Sequence, residues 1–495
     1  MAKGAAWLVL LRLTERSIGF VSTLILARVL VPADFGLVAM ATSLLAALDL
    51  FGAFSFDLAL IQNQKAQRHH YDTAWTFAVL FGIFKALALC LLAVPAARFF
   101  GEPRLERLVY ALALYALIDG FDNIGIIAFQ KDLELHKEFW FGLTKKLVGF
   151  AVTVSMAFWL RSYWALMVGI LSTRLAGLLL SYGMHPFRPR FSMAGAGSLF
   201  NFSKWLLLNN FLIFVNNRGT DFVVGKLAGA RALGLYSVSY EIANLPTTEL
   251  VWPISRAVFP GYARMSNDLA QLRQAFVQVI SLVALFTVPA GIMIALVAGP
   301  LVQVLLGAKW FDAVALIQVL ALFGVVRSLH GPTGSIYLAL GKPKIIAGFQ
   351  CVQIAVAIAL MLWLVPRHGT IGAAYSLLAG ASLAMAVNYF TALRELQLPL
   401  SGLLRALWRP LVGAAAMAAA VGLVGPLWSG ENGTAINALR LTVLCAVASG
   451  SYLVVVLLCW WMAHRPEGAE SQILRFGMSR LGSRAEGAIS PHQST

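Results

Sequence analysis

Charged residues are scarce in this chain. Only 12% of its 495 residues are charged, while 59% are hydrophobic, whereas a soluble domain carries about 25% charged residues. There is too little polar surface to cover a soluble fold, and the apolar residues occur in runs of about 20, the length that crosses the membrane as a helix. Strands of an outer-membrane barrel would need shorter, alternating segments. The composition therefore predicts an all-α, polytopic membrane protein.

Cysteine and the usual catalytic motifs are equally scarce. The four cysteines lie inside apolar runs without CxxC spacing, which indicates small buried hydrophobic residues and no metal centre. No phosphate-binding GxxxxGK[ST] loop and no GxSxG nucleophile turn occurs. Nothing in the sequence suggests covalent catalysis. We therefore expect no enzyme activity, no cofactor and no metal.

The positive charge of the chain has a membrane explanation. A net charge of +16 would suggest nucleic-acid binding in a soluble protein. Here the basic residues lie mostly at the ends of apolar segments, where they set topology and meet anionic membrane lipids. We expect no nucleic-acid partner.

Fourteen apolar segments can be counted. They predict a first lobe of six helices (1–183), a cytoplasmic linker (184–197), a second lobe of six helices (198–394), two further helices (395–463) and a cytoplasmic tail (464–495). One set of alternate loops is roughly twice as rich in Lys and Arg as the other, which places that set in the cytoplasm. Both termini are then cytoplasmic, in a multi-pass membrane protein.

A short pattern occurs twice, 198 positions apart. "ARVLVPADFGLVAMA" (Ala27–Ala41) lies between the first two segments, and "GKLAGARALGLYSVS" (Gly225–Ser239) lies between the seventh and eighth. Arg28 corresponds to Lys226, and Gly36 to Gly234. The repeat unit is therefore six helices, so both halves enter the membrane in the same sense. Internal repeats with a site between them are common in secondary transporters.

The stretches around this repeat resemble the polysaccharide exporters of the multidrug/oligosaccharidyl-lipid/polysaccharide (MOP) superfamily. They include "ARVLVPADFGLVAMATSLLAALDLFGAFSFDLALIQ", "RGTDFVVGKLAGARALGLYSVSYEIANLP", "VFPGYARM" and "LALGKPK". The resemblance implies flippases that carry undecaprenyl-pyrophosphate-linked sugar units, with two six-helix lobes around a central cavity. It also implies that Arg16, in the run Arg16–Phe20, lines the cavity as in the related lipid II flippase. A second arginine of that flippase is Ser22 here.

Several basic residues lie at bilayer depth, where a charge costs about 2.5–3.5 kcal/mol and so lines a cavity or has a partner. Guanidinium groups match phosphate oxygens in a bidentate manner. We predict that cations bind the substrate phosphates; the alternative is that each pairs with an acid between helices. The candidates are Arg16, Arg174, Arg218 and Arg327. Lys145 and Lys146 are placed near a segment end, from which they reach the membrane surface.

Acidic residues at similar depth predict either ion pairs or ion coupling. Arg16 could pair with Asp49, and Asp119 with Lys85 or Arg174. Pro246 predicts a kink in the eighth segment that could act as a gate. The acidic candidates are Asp49, Asp119, Asp221, Glu241 and Glu249.

Three functions fit the sequence to different degrees. The first is a flippase for lipid-linked oligosaccharides of a surface polysaccharide (exopolysaccharide, O-antigen or capsule), working by alternating access beside a polysaccharide polymerase and chain-length machinery. The second is a cation-coupled multidrug antiporter of the same superfamily, for which Asp49 and Asp119 would supply carboxylates. The third, a membrane-embedded polymerase or ligase, would need a long outer loop, and the longest has about 15 residues.

Overall fold

The computed structural model describes residues 2–50, 60–61, 66–194, 206–428 and 434–464. Within these ranges all long elements are α-helices, as predicted. The helices are α1 (Ala2–Val29), α2 (Pro32–Asp49), α3 (Arg68–Phe100), α4 (Arg104–Gly120), α5 (Leu135–Leu160), α6 (Trp164–Met184), α7 (Leu206–Arg264), α8 (Leu269–Leu305), α9 (Ala313–Ala339), α10 (Pro343–His368), α11 (Thr370–Glu395), α12 (Leu400–Val424) and α13 (Thr434–Met462).

Ten helical stretches among the described residues are long and apolar enough to span a membrane. An eleventh span would combine α4 with the short helical stretch Ile124–Lys131, which is bent from it by 67°. The chain is thus a multi-pass membrane protein. Neither α1 nor α7 is among these stretches, so the number of fourteen spans stays a prediction.

Two helix boundaries reproduce the register of the sequence repeat. Val31 is extended and precedes α2, where Pro32 occupies the first turn and Asp34 Oδ2 accepts from the Val31 N–H at 3.2 Å. Proline is favoured at this position because its missing N–H would have no helical partner. In α7 the helical backbone is interrupted at Gly229, whose φ of 81° lies in the left-handed region that favours glycine. Val31 and Gly229 are 198 positions apart, the spacing of the repeat.

The described chain forms two compact units. The first comprises 1–238, 305–312 and 358–373, and the second comprises 239–304, 313–357 and 374–495. In the second unit Tyr262, Phe276 and Tyr337 are buried in one apolar cluster, and the Tyr452 hydroxyl of α13 donates to the Leu285 carbonyl of α8 at 2.8 Å. Contacts define these units and sequence repeats define the predicted lobes, so the division into lobes 1–183 and 198–394 stays a prediction.

The start of the predicted linker is held on the first unit. The Arg190 N–H donates to Asp72 Oδ1 and the Ser192 N–H to Thr76 Oγ1, each at 2.9 Å, so this extended chain lies along the first turns of α3. Residues 195–205 and the predicted tail beyond His464 lie outside the described residues.

Candidate functional site

A buried lysine joins three helices of the first unit. The Lys85 ammonium of α3 is only 5% exposed and lies 2.9 Å from Asp49 of α2 and 2.8 Å from Asp119 of α4. The predicted pairing of Asp119 with Lys85 is confirmed. Asp49 also pairs with Lys85. Lys85 is the buried member of this network, and leaving a buried charge without a partner is strongly destabilising. This pair therefore fixes the relative positions of α2, α3 and α4.

Arg174 of α6 extends the same network. Its guanidinium forms ion pairs with Asp119 and, at 2.8 Å, with Asp122, and it lies over the Tyr115 ring. The predicted pairing of Asp119 with Arg174 is confirmed. As a phosphate ligand Arg174 has poor geometry, because two carboxylates already occupy its guanidinium. The physical reason is proximity: Asp119 on α4 and Asp122 in the break after α4 both lie within reach of Arg174 on α6.

Sequence reasoning missed Asp122 because it treated 105–129 as one span. The structure breaks that span at Phe121–Asn123, between α4 and the short turn at Ile124–Ile127. Polar residues next to Gly120, in the run "DGFDN", are a turn signal. Because the helix ends before Asp122, the chain turns there and brings this carboxylate to Arg174. A continuous helix would not predict this pair.

Arg218 of α7 retains an open side. It pairs with Asp221 at 3.2 Å, but its side chain is 43% exposed. Asp221 is buried and also accepts from the Ser43 hydroxyl of α2 at 3.2 Å. Asp221 thus has two protein partners and orients Arg218, which is compatible with the predicted contact of Arg218 with phosphate or sugar.

The remaining predicted residues lie on three helices. Arg16 is exposed on α1, and Arg327 is exposed on α9, where it donates to the Tyr240 hydroxyl. Glu241 and Glu249 are half-buried on α7. The backbone of α7 is helical at Pro246, and the predicted kink and gate at this residue stay a prediction.

A cavity of about 300 Å³ opens between α1, α2, α5 and α6. Apolar side chains make up most of its wall, while Ser22, Thr23, Thr153 and Thr173 supply hydroxyls and Lys146 supplies one cation. The end of the Lys146 side chain lies 3.6 Å from the position that a Cβ at Gly19 would take. The absent side chain of Gly19 therefore lets the ammonium approach α1, one helical turn from Arg16.

The helix that contains Lys146 is longer than the sequence analysis predicted, and the placement of Lys146 near the end of a membrane segment stays a prediction. The sequence analysis began the fifth segment at Leu143, but α5 begins at Leu135, so Lys146 lies near the middle of the helix. The helix α5 starts with the polar sequence "LHKEFW". A helix start inferred from apolar runs alone misses such a charged first turn.

Two glycines allow α5 and α6 to meet closely beside this cavity. A Cβ at Gly149 of α5 would lie 1.8 Å from Thr173 Oγ1 of α6, and a Cβ at Gly169 of α6 would lie 1.8 Å from Thr153 Oγ1 of α5. Each threonine thus occupies the space above a glycine of the other helix. Small residues at such crossings let membrane helices approach each other closely.

The two copies of the sequence repeat contact each other directly. A Cβ at Gly36 would lie 1.7 Å from the Ala230 carbonyl oxygen, and a Cβ at Gly234 would lie 1.7 Å from the Pro32 carbonyl oxygen. Pro32 corresponds to Ala230 and Gly36 to Gly234 in the repeat. The contact is therefore reciprocal, as at a two-fold axis, in the register that the sequence predicts.

Further bonds of the first unit hold a third segment against the first copy of the repeat. Trp310 is fully buried, donates its indole N–H to the Ala27 carbonyl at 2.8 Å, and packs edge-on against Phe35. Arg28 donates to the Leu305 carbonyl at 3.1 Å. The loop after α8 is thereby tied to the break between α1 and α2. By the predicted topology, all these segments lie on the outer side of the membrane.

Comparisons with known proteins agree with this picture. Residues 25–315 match the profile of a family described as "Polysaccharide biosynthesis protein". The chain is 25% identical over 395 residues to the "Lipopolysaccharide biosynthesis protein WzxC" of Escherichia coli (strain K12), covering 79% of this chain and 80% of that protein. It is 22% identical over 324 residues to the "Succinoglycan biosynthesis transport protein ExoT" of Rhizobium meliloti (strain 1021), covering 65% and 66%.

A solved structure supports the fold. The chain resembles "Lipid II flippase MurJ, inward closed conformation" with a TM-score of 0.70 and 13% identity, over 92% of this chain and 99% of that one. At this identity the likeness concerns the fold alone, and it agrees with an all-helical, polytopic architecture.

Proposed function

Since the chain belongs to the family of polysaccharide biosynthesis proteins, we propose that it moves undecaprenyl-pyrophosphate-linked oligosaccharide units across the bacterial inner membrane. The observation that carries this proposal is the reciprocal contact of Gly36 and Gly234. A two-lobed transporter that works by alternating access needs a contact between its repeats that closes one side and separates to open it. The units would serve an exopolysaccharide, O-antigen or capsule.

The named relatives support a polysaccharide precursor as cargo. WzxC is named for lipopolysaccharide biosynthesis and ExoT for succinoglycan transport, and the similar structure is that of a lipid II flippase. The antiporter alternative is less favoured, because Asp49 and Asp119 are engaged by Lys85. Carboxylates neutralised in this way are poor ligands for a cationic drug.

Arginines would hold the substrate phosphates. A pyrophosphate that enters a low-dielectric space without cations would cost several kcal/mol. Arg16 and Arg218 are the strongest candidates, because both are at least partly exposed and the Asp221 pair leaves one side of Arg218 open. Arg327 is a third. Arg174 would instead position α6 through its ion pairs with Asp119 and Asp122.

The test is complementation of a strain that lacks the gene. The deletion should stop export of the surface polysaccharide and cause lipid-linked oligosaccharide to accumulate on the cytoplasmic side. The wild-type gene should reverse both effects, and co-purification should recover the polymerase and chain-length proteins. Normal polysaccharide in the deletion strain, with no lipid-linked intermediate, would contradict the proposal.

A further inference from the structure

The hydroxyl-lined cavity beside α5 contains a cation for which the described residues supply no partner. Among the described residues, the Lys146 ammonium has no ion pair or hydrogen bond. Lys146 lies near the middle of the helix α5 and lines a cavity whose wall is mostly apolar. A cation without a partner in such a cavity is costly and marks a site for a ligand or partner.

The polar groups of this cavity differ in what they can offer. Thr153 donates its only hydroxyl hydrogen to the Gly149 carbonyl at 2.6 Å, and Thr173 donates to the Gly169 carbonyl at 2.7 Å. Since a hydroxyl has one hydrogen, both threonines present only acceptor lone pairs to the cavity. Ser22 has no hydrogen bond within the described part of the chain, so it and Lys146 can act as donors to a ligand.

Donors and acceptors are spread along the cavity. Lys146, Gly149 and Thr153 follow one another at successive turns along one face of α5, and Thr173 lies against Gly149. The donor end is therefore at Lys146, next to Gly19 of α1, and acceptors line the wall from Gly149 to Thr153. An anion alone would meet unfavourable acceptors, whereas a ligand with an anionic end and hydroxyl groups would satisfy both.

We propose that this cavity binds a sugar phosphate: Lys146 and Ser22 would hold the phosphate, and Thr153 and Thr173 would accept from sugar hydroxyls. This inference rests on the proposed function and identifies the ligand as the pyrophosphate and first sugar of the lipid-linked unit. The volume of about 300 Å³ matches the lower end of small-ligand pockets, roughly 300–1,000 Å³. A phosphate and one sugar ring fit, while the rest of the oligosaccharide lies outside.

Binding to the purified protein in detergent tests the proposal. The probes are farnesyl pyrophosphate, farnesyl pyrophosphate linked to N-acetylglucosamine, and inorganic pyrophosphate. Replacing Lys146→Ala should weaken the affinity for both farnesyl probes by about tenfold or more, because charge-assisted hydrogen bonds to phosphate are among the strongest polar contacts. K146R should stay within about threefold of wild type, since it keeps the charge.

The hydroxyl groups have separate signatures. S22A should weaken the binding of both farnesyl probes by about threefold, whereas T153V should weaken only the binding of the probe that carries the sugar. The matched control is Lys145→Ala, which removes the neighbouring cation: the Lys145 side chain lies against Gly177 and over the Phe141 ring, away from the cavity wall. K145A should stay within about twofold of wild type.

Several outcomes would overturn the inference. Unchanged affinity in K146A, or in K146M if the alanine variant does not fold, would remove Lys146 from the site. Equal losses in K145A and K146A would indicate a general charge effect. Binding of inorganic pyrophosphate as tight as that of the farnesyl probes would assign the site to a free anion. If K146A keeps its affinity while the wild-type gene restores export, this inference fails and the proposed function stands; if the wild-type gene restores nothing, the proposed function fails.

Discussion

Replacing Gly36 by alanine would place a methyl group 1.7 Å from the carbonyl oxygen of Ala230. An ordinary contact at a Cβ is 3.4–4 Å, and a backbone carbonyl cannot rotate away as a side chain can. Alanine favours a helix more than glycine does, so the helix α2 itself would not suffer. The cost therefore falls on the contact between the two repeats.

The size of that cost sets the expected shift. Overpacking typically costs about 1–3 kcal/mol, and every 1.4 kcal/mol changes an equilibrium tenfold. The segments can separate, so the protein avoids the cost by leaving the state in which they touch. We expect G36A to lower the population of that state about five- to hundredfold relative to the open one, and G234A to do the same by symmetry.

Distance measurements between spin labels would detect this shift. Val31 and Leu227 are exposed, one on each side of the contact, and can be labelled as cysteines after the four native cysteines are replaced. The wild type should show a short distance, and G36A a longer one. The control is G183A, because a Cβ at Gly183 meets nothing within 4 Å. A short distance that persists in both G36A and G234A, or its loss in G183A, would refute the reasoning.

Further predictions concern charge and topology. R174A should lower abundance in the membrane, because it leaves two partly buried carboxylates without their cation, and adding D122N should restore part of it; normal abundance in R174A would contradict a structural role. R16A should reduce polysaccharide export at least tenfold at normal abundance, with R16K intermediate because lysine lacks the planar fork; loss of abundance in R16A would remove Arg16 from the phosphate site. An alkaline-phosphatase fusion after Ser429 should be active and one after Arg465 inactive, and the reverse would overturn the predicted orientation.

The repeat was visible in the sequence because it depends on backbone geometry. At Gly36 and Gly234 two backbones approach so closely that only glycine fits. The residue type itself therefore reports the close approach. Helix positions were likewise predictable from apolar runs. The reciprocal form of the contact could not be predicted, because a sequence repeat does not indicate that its two copies contact each other.

Ion-pair partners and helix boundaries were harder to predict than the types of residue at the site. Asp119 has two cationic partners, Lys85 and Arg174, and sequence reasoning could only offer them as alternatives. Which of them bind depends on helix rotation, which a single sequence does not define. The start of α5 was placed too late in the sequence because a charged first turn extends this helix beyond its apolar run, and the cavity that Lys146 lines was not predicted.

Translocation by the purified protein in liposomes is the most direct measurement. Vesicles would carry a fluorescent undecaprenyl-pyrophosphate-linked oligosaccharide in both leaflets, and a membrane-impermeant reagent would quench the outer one. We expect the quenchable fraction to rise from about half towards completion with wild-type protein, and to stay near half with a variant locked across the repeat contact by a disulfide between residues 31 and 227. A quenchable fraction that stays at half with active, correctly inserted wild-type protein would contradict flippase activity.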